Sequence, residues 1–126
     1  MDRIPLIEVD KVLIAPVQID LNDQVAERLQ QEILEQVIQI KAHGVLIDLS
    51  VIDIVDSYIL RILHDTALMV RALGAELVVC GISADLAIAL TELGLELTGV
   101  ETALDSRMGL EILRERAIQK RRMLHG

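Results

Sequence analysis

Apolar residues fall along this chain in two rhythms that take turns. Leu6 to Val9 and Lys11 to Val17 are short runs rich in Val, Ile and Leu. They predict two strands with Asp10-Lys11 at the turn between them, a connection tight enough to require antiparallel pairing. From Asn22 to Ala42 the period changes: Val25, Leu29, Ile33, Val37 and Ile40 recur at spacings of four and three. That spacing predicts an amphipathic helix, with Asp20 or Asn22 as N-cap and His43-Gly44 closing it. Val45 to Leu49 returns to an unbroken apolar run and predicts a buried strand. Asp56 then caps a helix running to about Leu73, ended by Gly74. Glu76 to Cys80 predicts a further buried strand. Ser83 caps a short helix ending at Gly94, Glu96 to Glu101 forms a weak final strand, and Asp105 caps the last helix.

Strand and helix alternate from residue 11 onward, which calls for a sheet with helices packed against it and right-handed crossovers. The expected fold is α/β: a mixed, mostly parallel β-sheet of about five strands with about four helices packed mainly on one face. The outer face of the sheet has few candidates to cover it. No linker, low-complexity block or internal repeat interrupts residues 1–126, so a single domain is expected, a length that suits one core.

Composition narrows the function. Phe and Trp are absent and Tyr58 is the sole aromatic residue, so Ile, Leu, Val and Ala must fill the core. Base-stacking platforms for single-stranded nucleic acid and aromatic cages for cations are both missing. The formal net charge of −8 argues against nucleic acid or an anionic membrane as partner. The charge is uneven: from Arg107 to the end the local balance is +4, leaving −12 elsewhere. Basic residues favour the negative end of a C-terminal helix, and a basic tail also suits an acidic neighbour. The lone Cys80 excludes an internal disulfide and, ending an apolar run, reads as a buried, inert thiol. No signal peptide or apolar stretch of membrane-spanning length is present, so the expected location is the cytoplasm.

Catalytic signatures are missing. There is no Gly-x-Gly-x-x-Gly and no Gly-x-x-x-x-Gly-Lys, and His43, His64 and His125 lack metal-ligand spacing among themselves. Ser57 and His64 share one helix with backbones about 10 Å apart, too far for a nucleophile and its base. No catalytic residue, metal or cofactor is therefore assigned. The enzyme alternative, a metal-assisted acid cluster of Asp48, Asp53 and Asp56 near strand ends, would show itself as saturable Mg²⁺ binding.

The segment Ile54-Val55-Asp56-Ser57-Tyr58-Ile59 stands out, because it puts a serine in the first turn of a helix. Unpaired backbone N–H groups and the positive end of the helix dipole favour a phosphate there. At about 100° per residue, Arg61, His64, Asp65, Leu68 and Arg71 share the Ser57 sector. Ile59, Leu63, Thr66, Val70 and Leu73 lie opposite as a core stripe, with Tyr58, Ile62 and Met69 at its margin. A polar face bordered by large apolar residues suits a protein partner.

Val45-Leu46-Ile47-Asp48-Leu49-Ser50, followed by Asp53-Ile54-Val55-Asp56-Ser57, resembles the signature of STAS domains, the anti-sigma-factor antagonist family. The resemblance continues through Leu73-Gly74-Ala75-Glu76-Leu77-Val78-Val79-Cys80-Gly81-Ile82, Leu93-Gly94 and Glu101-Thr102-Ala103-Leu104-Asp105, covering most of the chain in order. Sporulation-type antagonists follow the serine closely with a glycine, whereas Ser57 is followed by Tyr58-Ile59-Leu60. The Asp-Ser-aromatic-Ile sequence and the chain length resemble the RsbS-type scaffolds of the stressosome. Leu21 stands where RsbR-type domains tend to carry a second phosphoacceptor threonine.

The resemblance implies a non-catalytic scaffold and negative regulator of stress signalling. It would assemble with an RsbR-like STAS co-scaffold, as a homodimer or larger assembly, and retain an RsbT-like serine kinase. Phosphorylation of Ser57 would release the kinase, and a phosphatase would reset the site. Asp53, Asp56, Tyr58, Ile59, Arg61 and His64 are then the expected switch surface. The alternative is an antagonist that binds an anti-sigma-factor kinase directly, with the same serine but without the large assembly.

Overall fold

A computed structural model describes residues 3–52, 56–92 and 100–125. The elements follow the predicted order: β1 (Ile7–Val9), β2 (Val12–Pro16), α1 (Asp23–Ile40), β3 (Gly44–Asp48), α2 (Ser57–Ala72), β4 (Glu76–Cys80), α3 (Ala84–Glu92), β5 (Glu101–Ala103) and α4 (Ser106–His125). The strands pair as β1-β2-β3-β4-β5, their order in the chain. β1 runs antiparallel to β2, and the other pairs are parallel. Asp10 and Lys11 both take positive φ, 51° and 65°, the twist that lets a two-residue turn join antiparallel strands.

Helix ends explain most of the boundaries. Asn22, rather than Asp20, caps α1 by accepting the Val25 N–H at 2.9 Å. α1 ends earlier than the His43-Gly44 pair: Lys41 adopts a left-handed conformation and its N–H returns to the Val37 carbonyl. Gly44 is instead the first residue of β3. Asp56, Ser83 and Asp105 cap α2, α3 and α4 by accepting the N–H of Ile59, Leu86 and Met108 respectively. The last strand lies later than expected, at Glu101–Ala103; residues 96–99 of the predicted strand, and Gly94 as the end of α3, lie outside the described residues.

Strand register sorts the core into two layers. Leu13, Val45 and Leu77 align across β2, β3 and β4, as do Ala15, Ile47 and Val79. These side chains meet α1 and α2 through Leu29, Ile33, Leu63 and Val70, and Leu86 of α3 joins them. Parallel neighbours joined in chain order by crossovers of one hand place the connecting helices on the same face. The intervening positions, Val12, Leu46, Val78 and Cys80, point the other way.

The helices therefore do lie mainly on one face, but the outer face has its own cover. α4 folds back across β3 and β4, with Leu113 fully buried against that layer. Gly109 lets it approach closely: a Cβ there would sit 2.5 Å from a methyl of Leu46. The sequence hid this role because α4 is basic and mostly exposed, with the sheet contact confined to a narrow stripe.

Between α1 and α2 lies the one buried polar side chain among the described residues, Thr66. Its hydroxyl donates to the Ile62 carbonyl at 2.6 Å and accepts from the Gln30 amide at 2.9 Å. The group is thus satisfied, and its burial fixes the register of the two helices without leaving an orphaned hydroxyl.

Candidate functional site

β2 and β3 run parallel, so the helices that follow them begin at the same end of the sheet. α1 and α2 consequently bring their N-termini together. Carboxyl ends of parallel strands are where α/β proteins usually place their functional groups. The loop leaving β3 is fixed locally: Asp48 accepts the Ser50 N–H at 2.9 Å, and the Leu49 N–H donates to the Cys80 carbonyl. Gly81 holds the neighbouring loop against it. Its φ is +75°, and an added Cβ would lie 2.7 Å from the Ser50 Cβ and 2.8 Å from its backbone.

Asp56 and Ser57 open α2 in full view of solvent. The Asp56 carboxylate accepts the Ile59 N–H at 2.8 Å, while the Ser57 hydroxyl makes no hydrogen bond among the described residues. Tyr58 is 45% exposed, and its hydroxyl donates to Glu27 of α1 at 2.5 Å. That bond holds the phenol protonated and pushes its pKa up, with desolvation and the charges of Glu27 and Asp23 acting the same way. A cleft of about 580 Å³ separates the two helix starts and is lined by Leu21, Asn22, Asp23, Gln24, Asp56 and Ile59. The Asp23 carboxyl is raised above its ordinary value, first by desolvation, then by the Asp56 and Glu27 carboxylates and a hydrogen bond with Asp56.

The sequence-predicted residues are thus partly regrouped. Asp56, Ser57 and Tyr58 lie together. Arg61 is exposed one turn further along α2 and makes no ion pair among the described residues. His64 is half-buried, with Nδ1 3.6 Å from Asp65. The switch-surface assignment of Ile59 must be corrected: at 2% exposure it is a core side chain, where the helical wheel places it, because its position on α2 turns it toward α1 and the sheet. Leu73, expected in the core stripe, is instead 45% exposed, as the helix ends before it. Asp53 lies outside the described residues. Sequence reasoning missed Asp23 and Glu27, which come from a helix that starts over 30 residues earlier. Their signal was faint: two acids one turn apart at the start of α1.

Comparison with known proteins settles the family. The family model for the STAS domain matches residues 3–106. The chain belongs to the STAS domain family. A serine-to-glutamate variant of RsbS from Moorella thermoacetica is 32% identical, with a TM-score of 0.79 over 90% of this chain and 97% of that one. A chain in a structure of the stressosome, described as a signal integration and transduction hub, is 34% identical, with a TM-score of 0.76 over 90% of this chain and 98% of that one. The RsbT co-antagonist protein RsbRA of Bacillus subtilis (strain 168) is 26% identical over 117 residues. The chain spans 43% of that relative's length and the match takes in 92% of its own. Among the described residues, no helix of this STAS chain is long and apolar enough to cross a membrane.

Proposed function

We propose that this STAS chain is a non-catalytic, cytoplasmic scaffold and phosphorylation switch of a stressosome-type assembly, with Ser57 as its phosphoacceptor. It associates with RsbR-like STAS co-scaffolds, retains an RsbT-like serine kinase while unmodified, and releases it once Ser57 is phosphorylated. A phosphatase resets the site. Similarity to RsbS and to a stressosome chain supports the assembly. The observation that carries the switch is local: an exposed serine with an unengaged hydroxyl sits in the first turn of α2, beside a three-carboxylate rim formed by Asp23, Glu27 and Asp56.

The electrostatics give phosphorylation a mechanical consequence. A phosphate adds about −1.5 to −2 charge and three acceptor oxygens. The helix N-terminus receives it favourably, but the carboxylate rim opposes it, and like charges a few ångströms apart repel. Arg61, four residues on, is the nearest exposed cation on the same helix and can pair with the dianion. The rim therefore disfavours any pose that points the phosphate toward α1, and Arg61 favours one that points it outward along α2. A kinase surface that fits the neutral serine would meet new charge at that place.

Incubation with an RsbT-like kinase and Mg-ATP, followed by phosphosite mapping, tests the site. Phosphate on Ser57 supports the reading, and its loss in Ser57→Ala with an unchanged circular dichroism spectrum excludes misfolding as the cause. Phosphate on Ser50, Ser83 or Ser106 instead would overturn it. Sedimentation with an RsbR-like partner distinguishes the scaffold from a direct antagonist of an anti-sigma-factor kinase, because the scaffold enters megadalton particles.

A further inference from the structure

α4 covers β3 and β4 but leaves the outer face of the β1–β2 hairpin partly open. Between them runs a cavity of about 760 Å³, within the range of about 300–1,000 Å³ usual for small-molecule sites. Val9 and Val12 form one wall, and Leu110 and Ile118 the other. Val9 is 46% and Ile118 39% exposed, so apolar surface faces solvent along this groove.

The polar groups in the groove are unevenly matched. Arg107, Arg114 and Arg121 line it from α4, each two helical turns from the next. The row therefore extends about 20 Å along the groove at 1.5 Å per residue. Arg107 is engaged by Glu111 at 3.6 Å; Arg114 and Arg121 make no ion pair among the described residues, and the remaining acid in the lining is Asp10. At the hairpin end, His43 uses Nε2 toward the Asp10 carbonyl at 3.1 Å. Donation there leaves Nδ1 as an acceptor, and that atom is buried without a hydrogen-bond partner.

We propose that this groove binds a free, single-chain anionic amphiphile: an elongated apolar chain with a carboxylate-type head. The chain lies on Val9, Val12, Leu110 and Ile118, and Arg114 and Arg121 hold the head. Charge complementarity selects this occupant. A second copy docking groove to groove would bring Arg107, Arg114 and Arg121 against their own images, which repel. A nucleic acid would find no aromatic residue in the lining to stack upon.

The probe is monomeric dodecanoate, titrated calorimetrically into the full chain below its micellar concentration, with dodecylamine as the comparison. The expected result is saturable one-to-one binding of dodecanoate and none of dodecylamine. The double variant Arg114→Glu/Arg121→Glu weakens it roughly tenfold or more, as does Ile118→Glu, both with unchanged circular dichroism. No saturable binding, equal binding of the amine, or equal affinity in the variants would overturn the proposal. So would anionic phosphatidylglycerol vesicles or an acidic peptide binding through the same residues while dodecanoate does not.

Discussion

Asp56 carries two roles that two substitutions can separate. Its carboxylate caps α2 by accepting the Ile59 N–H at 2.8 Å, from an extended backbone with φ −81° and ψ 170°. Its charge also crowds Asp23 across the cleft. Asp56→Ala removes both effects; Asp56→Asn keeps an acceptor of nearly equal capping strength and removes the charge alone. Losing an N-cap acceptor costs about 1 kcal/mol, within a range of about 0.5–2. For a chain of this size, that difference corresponds to about 3–5 °C in Tm. Asp56→Ala is therefore expected to melt about 3–5 °C below Asp56→Asn, while Asp56→Asn at neutral pH melts at or slightly above the parent.

The pH dependence has a definite sign. A carboxyl whose pKa is raised in the folded state favours its protonated form there. Its unfavourable contribution thus grows as pH rises from the ordinary carboxylate value through the raised one, and disappears on acidification. Any advantage of Asp56→Asn should fade as pH falls through that window, whereas the alanine deficit from the lost cap persists. Urea titrations with unchanged slopes would measure both. Equal destabilisation by alanine and asparagine would refute the capping argument, and an asparagine effect independent of pH would refute the charge argument.

Other expectations follow from single contacts. Gly81→Ala places a Cβ 2.7–2.8 Å from Ser50 in a backbone with φ +75°; a loss of about 1–3 kcal/mol is expected in chemical denaturation, and a neutral result would contradict the close approach. Ultraviolet titration of the tyrosinate band reports on Tyr58 alone, and its midpoint should lie above the ordinary 10.0 and fall toward it in Glu27→Gln. Cys80 is fully buried, and its thiol is pushed up to about 12 by burial first and then by the Asp48 and Asp105 carboxylates. Ellman's reagent should leave it unmodified in the native protein and react with it promptly in denaturant.

Local chemistry is what the sequence displayed best. The capping side chains at Asp56, Ser83 and Asp105, the Asp10-Lys11 turn and the apolar runs of β3 and β4 each act within a few residues of themselves, so their structure could be read in place. The start of β5 could not: three residues with a half-exposed pattern have no periodicity to detect. α4 was recognisable as a helix, but its sheet-facing stripe depends on Gly109 and Leu113, and a glycine chosen for close approach looks like a weak helix position. At the site, Ser57 and Asp56 were legible because they are neighbours. Glu27 and Asp23 were not, since only the parallel pairing of β2 and β3 brings the two helix starts together. Ile59 shows the opposite error: adjacency to the serine in sequence did not survive the turn of the helix.

The order of the strands in the sheet has a bearing on how the chain is made. Each strand from β2 onward pairs with the one synthesised immediately before it, so the sheet can lengthen as residues leave the ribosome, with α1, α2 and α3 sealing the first face on the way. The second face has no such running protection. Val12, Leu46, Val78 and Cys80 stay uncovered until α4, made after every strand, arrives to shield them. During that interval the nascent protein presents a sticky apolar sheet surface, a state prone to aggregation and suited to chaperone capture. Slowing translation just upstream of Ser106 should prolong it, and co-translational aggregation would then rise without any change in the stability of the finished protein.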